Sequence, residues 1–402
     1  MSMIERLLSI LCSIDVPYKE IWELTTWDRR FKGIEKMKQP KVVQFKHVSA
    51  ARLKSLKKQN GTVRLLSTGR FEGWTSDNEE IDKQNIGEVI TIPSGGSANV
   101  KYFKGKFIDS GNIIAVARDE SVNLKYLYYW LINNVSKIES LFRGAGVKHP
   151  DMNELLKYSV PVPPILIQNE IVHILDLFTE LDEILRQELK ARTKQFRYYS
   201  DMLLNFKTNE VEWRLLGEVG EVCMCKRIYK RQTSRNEVVP FYKIGTFGKL
   251  ADSYISEELF HEYRDKYSFP KVGDVLLSAS GTIGRTIIYD GKPAYFQDSN
   301  IVWISNDEQL VTNKYLYHIY KKINWQTDNG GTISRLYNNS IRKTKIPVPS
   351  LAEQEVIVSI LDSFDVLVND ITIGLPAEIE ARRKQYEYYR NRLLSFKLVA
   401  NG

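Results

Sequence analysis

The feature that most constrains the fold of this chain is a segment that occurs twice. VPVPPILIQNEIVHILDLF, residues 160–178, and IPVPSLAEQEVIVSILDSF, residues 346–364, align without a gap at an offset of 186 residues. From Pro161 to Phe178, 10 of 18 positions are identical in the two copies, where average composition gives about one. Solenoid units are only roughly 20 to 50 residues long. The duplication therefore predicts two whole domains in a chain of 402 residues.

The duplicated region continues with a helical pattern. After Phe364 the offset becomes 190, so that residues 382–389 lie over 192–199 and 393–397 over 203–207. Apolar residues recur at steps of three and four, which defines a seam like that of a coiled coil. The seam residues are Ile171, Ile174, Phe178, Leu181, Leu185, Leu189, Phe196, Tyr199, Leu203 and Phe206 in the first copy, and Ile357, Ile360, Phe364, Leu367, Ile371, Tyr386, Tyr389, Leu393 and Phe396 in the second. The spacing predicts helices of about 30 to 40 residues, roughly 45 to 60 Å long.

A helix with one apolar seam must bury that seam. The other repeat is the expected partner, so we predict that the two helices pair antiparallel about a pseudo-twofold axis and hold two globular blocks apart. Ordinary core helices are the alternative. Each copy opens with Pro-Val-Pro, which favours extended backbone. Ser350 and Glu353 form a capping-box pattern before the second helix, and Gly374-Leu375-Pro376 predicts a break in it, with Pro376 beginning a new helical section.

Two variable blocks, about residues 15–158 and 211–345, precede the helices. Residues 89–92 and 113–116 are β-branched and predict strands, and 123–131 predicts a helix. Gly273-Asp274-Val275 and the residues after it lie over the first strand of the earlier block, and the Lys-Tyr-Leu-Tyr of that helix recurs at 314–317. The blocks therefore share a framework and differ in their loops, which is how one architecture reads different ligands. The expected fold class is α+β with an internal duplication.

Composition excludes several function classes. The net charge of +8 and the pI near 9.0 permit a polyanionic partner. The cysteines, Cys12, Cys223 and Cys225, form no disulfide framework, and the last two lack the second pair that a zinc site needs. They fit thiols in a reducing cytosol. The five histidines show no metal spacing. No apolar run is long enough to span a membrane, and residues 4–11 predict a short helix, not a signal peptide.

The repeated motifs resemble a known family. They are the duplicated Pro-Val-Pro-x4-Gln-x5-Ile-Leu-Asp-x-Phe pattern, GLPAEIEAR at 374–382, KQYEYY at 384–389 leading to LLSF at 393–396, and VEWRLLGEV at 211–219 with its counterpart VPYK at 16–19. Over almost its whole length the chain resembles the specificity subunit of a type I restriction-modification enzyme. The resemblance is strongest in the repeated helices.

This resemblance implies a non-catalytic subunit of a bacterial or archaeal cytoplasmic complex. Each variable block is then a target-recognition domain that reads one half of a split double-stranded DNA site, and the helices fix the gap. Two methyltransferase subunits, and optionally two restriction subunits, join it and bind S-adenosylmethionine, ATP and Mg; this chain binds none of these and no membrane. We accordingly predict target-recognition domains at 1–158 and 211–345 and helical spacers at 159–210 and 346–402.

The candidate DNA-binding residues are Lys, Arg and hydroxyl side chains, which suit phosphate contact and groove readout. They lie in Gly-rich turns after a strand (93–97 and 278–285), in basic runs (27–32 and 226–235), and at the block ends, where Arg143, Lys148 and His149 align with Asn329, Ser334 and Arg335. Plain hairpin turns and solvated loops are the alternatives, and the 332–336 loop, which resembles one that the family keeps, has a structural alternative too. The predicted residues are Arg29, Arg30, Lys32, Ser94, Lys101, Lys104, Arg143, Lys148, Arg227, Lys230, Arg231, Ser280, Thr282, Arg285, Ser334 and Arg335.

A second set is predicted on the helices. Phe178, Leu185, Tyr199, Leu203, Phe364, Tyr389 and Leu393 are expected to pack in the seam. Tyr198 and Tyr388 fall beside the seam. Each of these two is a candidate contact with a methyltransferase subunit.

The chain lacks the Asn/Asp-Pro-Pro-Phe/Tyr motif and the Gly-rich cofactor loop of an adenine methyltransferase. A self-contained DNA-modifying enzyme is therefore a weaker hypothesis than a DNA reader, and a protein scaffold is a third. Steep loss of DNA binding with salt distinguishes a reader from a scaffold. A helix of about 45 Å spans roughly 13 base pairs, so half-site centres are expected about 10 to 14 base pairs apart. Because the loops differ, the two half-sites should differ in sequence.

Overall fold

The computed structural model describes residues 3–77, 83–207, 209–327 and 334–396. Of the sequence features above, Asn329, Thr332, Ile333 and Lys397 lie outside these ranges. The chain divides into two compact units: Met1–Leu185 with Ile379–Gly402, and Arg186–Glu378. Within the described ranges, no helix is both long and apolar enough to cross a membrane.

The first unit and the long helix that follows its globular part contain the first seventeen elements. They are α1 (Met3–Ser13), β1 (Tyr18–Glu20), α2 (Ile21–Leu24), β2 (Thr25–Trp27), α3 (Ala50–Ser55), β3 (Val63–Ser67), β4 (Glu72–Thr75), β5 (Asn85–Pro93), β6 (Lys101–Ser110), β7 (Asn112–Ala117), α4 (Leu124–Asn133), α5 (Val135–Ser140), β8 (Phe142–Arg143), β9 (His149–Pro150), α6 (Met152–Leu156), β10 (Ser159–Pro161) and α7 (Ile165–Leu204).

The remaining elements belong to the second unit, apart from most of the last helix. They are β11 (Glu212–Leu215), α8 (Leu216–Val219), β12 (Gly220–Cys223), a 3-10 turn (Lys230–Gln232), β13 (Val239–Tyr242), β14 (Tyr254–Ile255), α9 (Glu257–Lys266), β15 (Val275–Ser278), β16 (Thr286–Ile288), β17 (Tyr295–Phe296), β18 (Ile301–Asn306), α10 (Asn313–Tyr320), α11 (Asn338–Lys343), β19 (Lys345–Val348), α12 (Leu351–Asn369) and α13 (Leu375–Leu393). The predicted strands, the helix at 123–131 and the N-terminal helix are all present.

The two units share a four-stranded core. The strand order is β2-β7-β5-β6 in the first unit and β12-β18-β15-β16 in the second. The first unit extends this sheet with β3 and β4, whereas the second adds a separate sheet, β14-β13-β17. The β-branched residues of β5 pack on both faces, because Ile90 and Ile92 join one core cluster and Val89 joins another. The duplication and the α+β class are therefore confirmed, and the additions show how the blocks diverge.

The copied Pro-Val-Pro segments form edge strands. β1 pairs antiparallel with β10, with Tyr18 opposite Pro161, and β11 pairs antiparallel with β19, with Trp213 opposite Pro347. Proline has no N–H to donate to a neighbouring strand, so it is tolerated at the edge of a sheet, where that hydrogen bond is not required. Extended backbone at both Pro-Val-Pro segments was predicted and is confirmed.

The copied glutamines explain why the segment recurs. Gln354 is fully buried; its Oε1 accepts from the Thr312 N–H at 2.8 Å, and its Nε2 donates to the carbonyls of Leu310 and Pro349, both at 2.9 Å. Gln168 makes the same three bonds in the first unit, with the Asn123 N–H and the carbonyls of Ser121 and Pro163, at 2.8–3.0 Å. One amide thus holds the loop before α4 or α10 to the start of the long helix.

The copied aspartates make a second attachment. Asp176 accepts from Lys125 Nζ at 2.8 Å and from the Tyr129 hydroxyl at 2.6 Å. Asp362 accepts from Lys314 Nζ at 3.3 Å and from His318 Nε2 at 2.7 Å. The repeated Gln and Asp therefore fasten each globular block to its own helix.

Most of the predicted seam is buried or half-buried, but Ile360 and Ile371 are 36% and 80% exposed, so the prediction is wrong at these two positions. The buried face of α12 runs through Ile357, Leu361 and Val368 instead. In the first unit Phe178 stacks on Tyr389, with ring centroids 5.8 Å apart, and Leu393 is fully buried. In the second unit Tyr199 and Phe196 stack on Phe364 at 5.4 and 6.2 Å. Leu203 packs on the second unit's core, and Leu185 is half-buried.

The helix ends follow the local signals. Ser350 Oγ accepts from the Glu353 N–H at 3.3 Å, while Glu353 accepts from the Ser350 N–H at 2.9 Å. α12 ends at Asn369 and α13 begins at Leu375, with Gly374 between them. A Cβ at Gly374 would lie 2.4 Å from the Val366 carbonyl oxygen. The predicted cap and the predicted break are both confirmed, and the break requires glycine for lack of space.

Candidate nucleic-acid interface

In the first unit, the β5–β6 hairpin loop meets the β8–β9 hairpin. His149 Nδ1 donates to the Ser94 carbonyl at 2.6 Å, and the Gly96 N–H donates to the Lys148 carbonyl at 2.8 Å. A Cβ at Gly95 would lie 2.9 Å from Val147 Cγ1, so a larger residue there would displace the exposed Val147 side chain. Two segments that are far apart in sequence thus form one surface.

Lysine and asparagine side chains hold a third loop beside these hairpins. Lys101 Nζ donates to the carbonyls of Ser67 and Gly69 at 2.7 and 2.8 Å, and Asn99 donates to Gly69 at 2.8 Å. Burial lowers the pKa of Lys101. Lys101 therefore positions the 67–70 loop, whose Arg70 is exposed.

A charge network around the buried carboxylates of Asp28 and Asp109 supports the first residue of β7, Asn112. Arg29 forms a bidentate pair with Asp28 at 3.0 and 2.7 Å and donates to the Asn112 carbonyl at 2.8 Å. Asp109 is fully buried and accepts from His47 Nδ1 at 2.8 Å and from Asn112 Nδ2 at 2.6 Å. The hydrogen bond to Asp109 raises the pKa of His47, and the bond to Asp28 raises the pKa of Arg29.

The second unit assembles the equivalent surface. Ser280 and Arg335 form an isolated antiparallel β-bridge. Beside it, the Leu336 N–H donates to the Ala279 carbonyl at 2.8 Å. At the offset of 186, Ser280 corresponds to Ser94 and Arg335 to His149. The 278–285 turn connects β15 to β16 as its counterpart connects β5 to β6. Equivalent loops therefore meet in both units, but with different side chains.

Residues 298–300, called the floor below, lie under this surface and accept hydrogen bonds from its side chains. Arg335 Nη2 donates to Ser299 Oγ at 3.0 Å, Ser280 Oγ donates to Asn300 Oδ1 at 2.8 Å, and Arg227 Nε donates to Asp298 at 2.9 Å. Ser299 has a φ of 53°, which is uncommon for a residue with a side chain. Such backbone strain clusters at ligand-binding sites.

A basic cleft of about 460 Å³ lies beside Gln297, the residue before this floor. Lys243 Nζ pairs with Asp252 at 2.8 Å at its edge. The polar and charged residues that line it include Lys230, Thr233, Ser234, Arg235, Lys243 and Gln297. Their charge and hydrogen-bonding groups suit an anionic ligand.

The predicted DNA-binding residues fall into two groups. The first has side chains that reach solvent: Arg30, Lys32, Lys104, Arg143, Lys148, Lys230, Arg231, Thr282 and Ser334. The side chains of the second group form hydrogen bonds to other segments of the protein: Arg29, Lys101, Arg227, Ser280, Arg285 and Arg335. Ser94 is half-buried and contributes its carbonyl to the loop contact. Arg285, for example, donates to the Phe247 carbonyl at 2.6 Å.

Comparison with known proteins identifies the family. The sequence model of the type I restriction modification DNA specificity domain matches residues 32–193 and 209–381. The chain belongs to this family. It is 32% identical to the EcoR124I/EcoR124II specificity subunit of Escherichia coli, over 83% of this chain and 87% of that one. It is 50% identical to a candidate type I specificity subunit of Haemophilus influenzae, over 77% and 83%.

Solved structures support the fold. The S subunit of a type I restriction-modification system from M. genitalium matches with a TM-score of 0.62, at 16% identity, over 96% of this chain and 97% of that one. A chain from a structural study of complex assembly in the type I R-M system matches with a TM-score of 0.52, at 16% identity, over 95% and 99%. The predicted family and fold class are therefore correct, and DNA sequence recognition is the role of this specificity subunit.

Several site residues were missed from the sequence. Asp298, Ser299 and Asn300 carry no basic charge and lie between two short strands, so no pattern marked them. Arg70 was missed because it is isolated in sequence. The run Asp298-Ser299-Asn300 after a strand, typical of a tight turn, is the signal that could have located the floor.

Among the described ranges there is no cluster of three His, Cys, Asp or Glu residues that could hold an ion. Cys225 is buried, and burial raises its pKa to about 12, so it is an inert core thiol. Tyr198 and Tyr388 are 63% and 54% exposed on the helices. Their role as partner contacts stays a prediction.

Proposed function

We propose that this specificity subunit reads an asymmetric two-part DNA site, one half with each globular block. The observation that carries the proposal is the repeated meeting of equivalent loops, Ser94 with His149 and Ser280 with Arg335. The scaffold is the same in the two units, and the side chains presented on it differ. Two such readers on one chain suit two different half-sites.

The exposed cations are assigned to the phosphates. Arg30, Lys32 and Lys148 in the first unit, and Lys230 and Arg231 in the second, reach solvent. Phosphate contacts fix the position of a protein on DNA and carry no direct sequence information. Base readout is then assigned to the polar loop residues, which include Ser94, Thr282, Arg285 and Arg335. Ser280 is buried, with its hydroxyl bonded to Asn300, so its role is to hold the loop.

The long helices set the gap between the half-sites. α7 alone has 40 residues, or about 60 Å at 1.5 Å per residue. The first turns of α7 pack in the core of the first unit through Ile171, Ile174 and Leu175, so about 45 Å of the helix remains as a spacer. That length corresponds to roughly 13 base pairs, and we therefore propose half-site centres about 10 to 14 base pairs apart. The helices also dock two methyltransferase subunits, which bind S-adenosylmethionine and modify adenine. Restriction subunits, with ATP and Mg, join through them, and this chain catalyses neither reaction.

A methylation map tests the proposal directly. Adenine methylation is mapped across the genome of the host with and without this gene. Loss of methylation at one asymmetric two-part motif is expected, and it would give both half-sites at once. Loss at a short unbroken motif would contradict the role of the helices, and a palindromic two-part motif would contradict the difference between the two readers.

Purified protein provides the second test. DNA carrying both half-sites should lose binding by orders of magnitude as salt rises from about 50 to 200 mM, because several phosphate contacts release counterions. Scrambling either half-site should weaken binding, whereas changing the bases of the gap should not. Methyl transfer by the chain without partners would support the self-contained enzyme instead.

A further inference from the structure

The loop that connects β13 to β14 carries an exposed leucine beside the recognition surface of the second unit. The loop spans residues 243–253 and belongs to the sheet β14-β13-β17, which this unit adds to the core that the two units share. Leu250 is 92% exposed, more than any other large apolar side chain in the described ranges. A single exposed apolar residue is ordinary on a protein surface, so its significance depends on how the loop is held and where it lies.

Hydrogen bonds hold this loop in one shape. The N–H groups of Thr246 and Phe247 donate to the Lys243 carbonyl at 3.0 and 2.9 Å. The Lys249 N–H then donates to the Thr246 carbonyl at 2.9 Å. Phe247 is buried in the core, and Gly248 has a φ of 75°, which glycine adopts without strain. A loop that is already ordered loses little entropy when it binds a partner.

The loop packs against the turn at 278–285. Arg285 Nη1, from that turn, donates to the Phe247 carbonyl at 2.6 Å. The Ile244 N–H donates to Gln297 Oε1 at 3.0 Å, and Gln297 is the residue before the floor. The loop is therefore continuous with the surface to which base readout is assigned.

The charges around the loop favour DNA as its partner. Lys249 is exposed next to Leu250 in sequence. Lys243, at the start of the loop, pairs with Asp252 at 2.8 Å and compensates that carboxylate. Lys243 also lines the basic cleft described above, together with Arg235. Such a surface attracts phosphates, and a leucine placed on it meets the apolar groups that DNA offers.

We propose that Leu250 contacts the methyl group of a thymine in the second half-site. The inference rests on the proposed function and adds a specificity-determining residue to the second reader. Only the major groove distinguishes all four base pairs, so a loop beside the base-reading side chains enters that groove. There the thymine C5-methyl group is the apolar group that a side chain can cover. The first unit extends its core with β3 and β4 instead, so the contact belongs to the second half-site alone.

The test is an electrophoretic mobility assay of the full-length chain on a duplex that carries both half-sites found by the methylation map. Replacing every thymine of the second half-site by deoxyuridine removes only the methyl groups. That half-site contains a methylated adenine, so it contains at least one thymine. The wild type should bind the deoxyuridine duplex about 3-fold or more weakly. Leu250→Ala should bind the thymine duplex weakly by a similar factor and should not distinguish the two duplexes.

Two protein controls accompany this variant. Leu250→Met keeps a large apolar side chain and should retain the preference for thymine. Val272→Ala changes a side chain that is 73% exposed but precedes β15, at the opposite end of that strand from the 278–285 turn. It should bind both duplexes as the wild type does. An unchanged melting temperature shows that each variant is folded.

The outcomes separate this inference from the proposed function. Equal sensitivity to deoxyuridine in the wild type and in Leu250→Ala would overturn the contact, and so would a wild type that binds both duplexes equally. Deoxyuridine in the first half-site should affect the wild type and Leu250→Ala alike. A wild type that does not prefer the mapped duplex to a scrambled one would instead contradict the proposed function itself.

Discussion

Gln354 offers the sharpest test of how the copied segment works. Its side chain makes three hydrogen bonds to backbone groups, at 2.8, 2.9 and 2.9 Å, and is fully buried. Gln354→Leu keeps the volume but leaves one N–H and two carbonyls without a partner. Each unsatisfied buried group costs about 1 to 3 kcal/mol. The expected loss is therefore at least about 3 kcal/mol, against a typical total stability of about 5 to 15 kcal/mol.

Calorimetry of the full-length chain measures this loss. For a unit of this size, about 1 kcal/mol corresponds to a change of roughly 2 to 4 °C in Tm. Gln354→Leu should lower a transition by at least about 6 °C. Glu355→Ala, one residue away on the exposed face, is the control and should change Tm little. A shift below about 2 °C for Gln354→Leu would refute the reasoning, and Gln168→Leu should reproduce the loss in the other unit.

Three further predictions concern the charged and polar sites. The hydrogen bond to Asp109 raises the pKa of His47. The stability contributed by the His47 charge is therefore fully present below pH about 6.5 and is lost as the pH rises through the raised pKa. His47→Gln should flatten this pH dependence of the unfolding free energy, measured by denaturant titration. Burial lowers the pKa of His318. The stability contributed by its neutral form is therefore present above pH about 6.5 and falls as the solution is acidified. His318→Tyr should retain the bond to Asp362 and raise the Tm at pH 5, and a lower Tm at that pH would contradict this. Arg335→Ala should weaken binding to a two-part DNA site by about 10-fold or more, since a lost direct base contact costs roughly 1 to 3 kcal/mol, while leaving binding unchanged when the second half-site is scrambled; equal losses on both DNAs in an electrophoretic mobility assay would count against base readout.

Several structural features of this protein follow from local sequence patterns alone. The seam follows from helical periodicity, the α12 cap from Ser350 and Glu353, the edge strands from Pro-Val-Pro, and the break before α13 from Gly374. These features depend on residues within a few positions of one another, so a linear pattern contains them. The duplication also predicted the partner of each seam, because an apolar surface that occurs twice can be buried by packing one copy against the other.

Tertiary structure alone decided which polar residues face inward. Lys101 is predicted for DNA contact by type, but its ammonium is held by two carbonyls of another loop, and Arg29 is held by Asp28 and by the backbone at Asn112. The left-handed Ser299 beneath Arg335 is equally invisible in the sequence. Charge and residue type specify what a side chain can do, whereas burial and long-range hydrogen bonds, which depend on distant segments meeting, decide what it does.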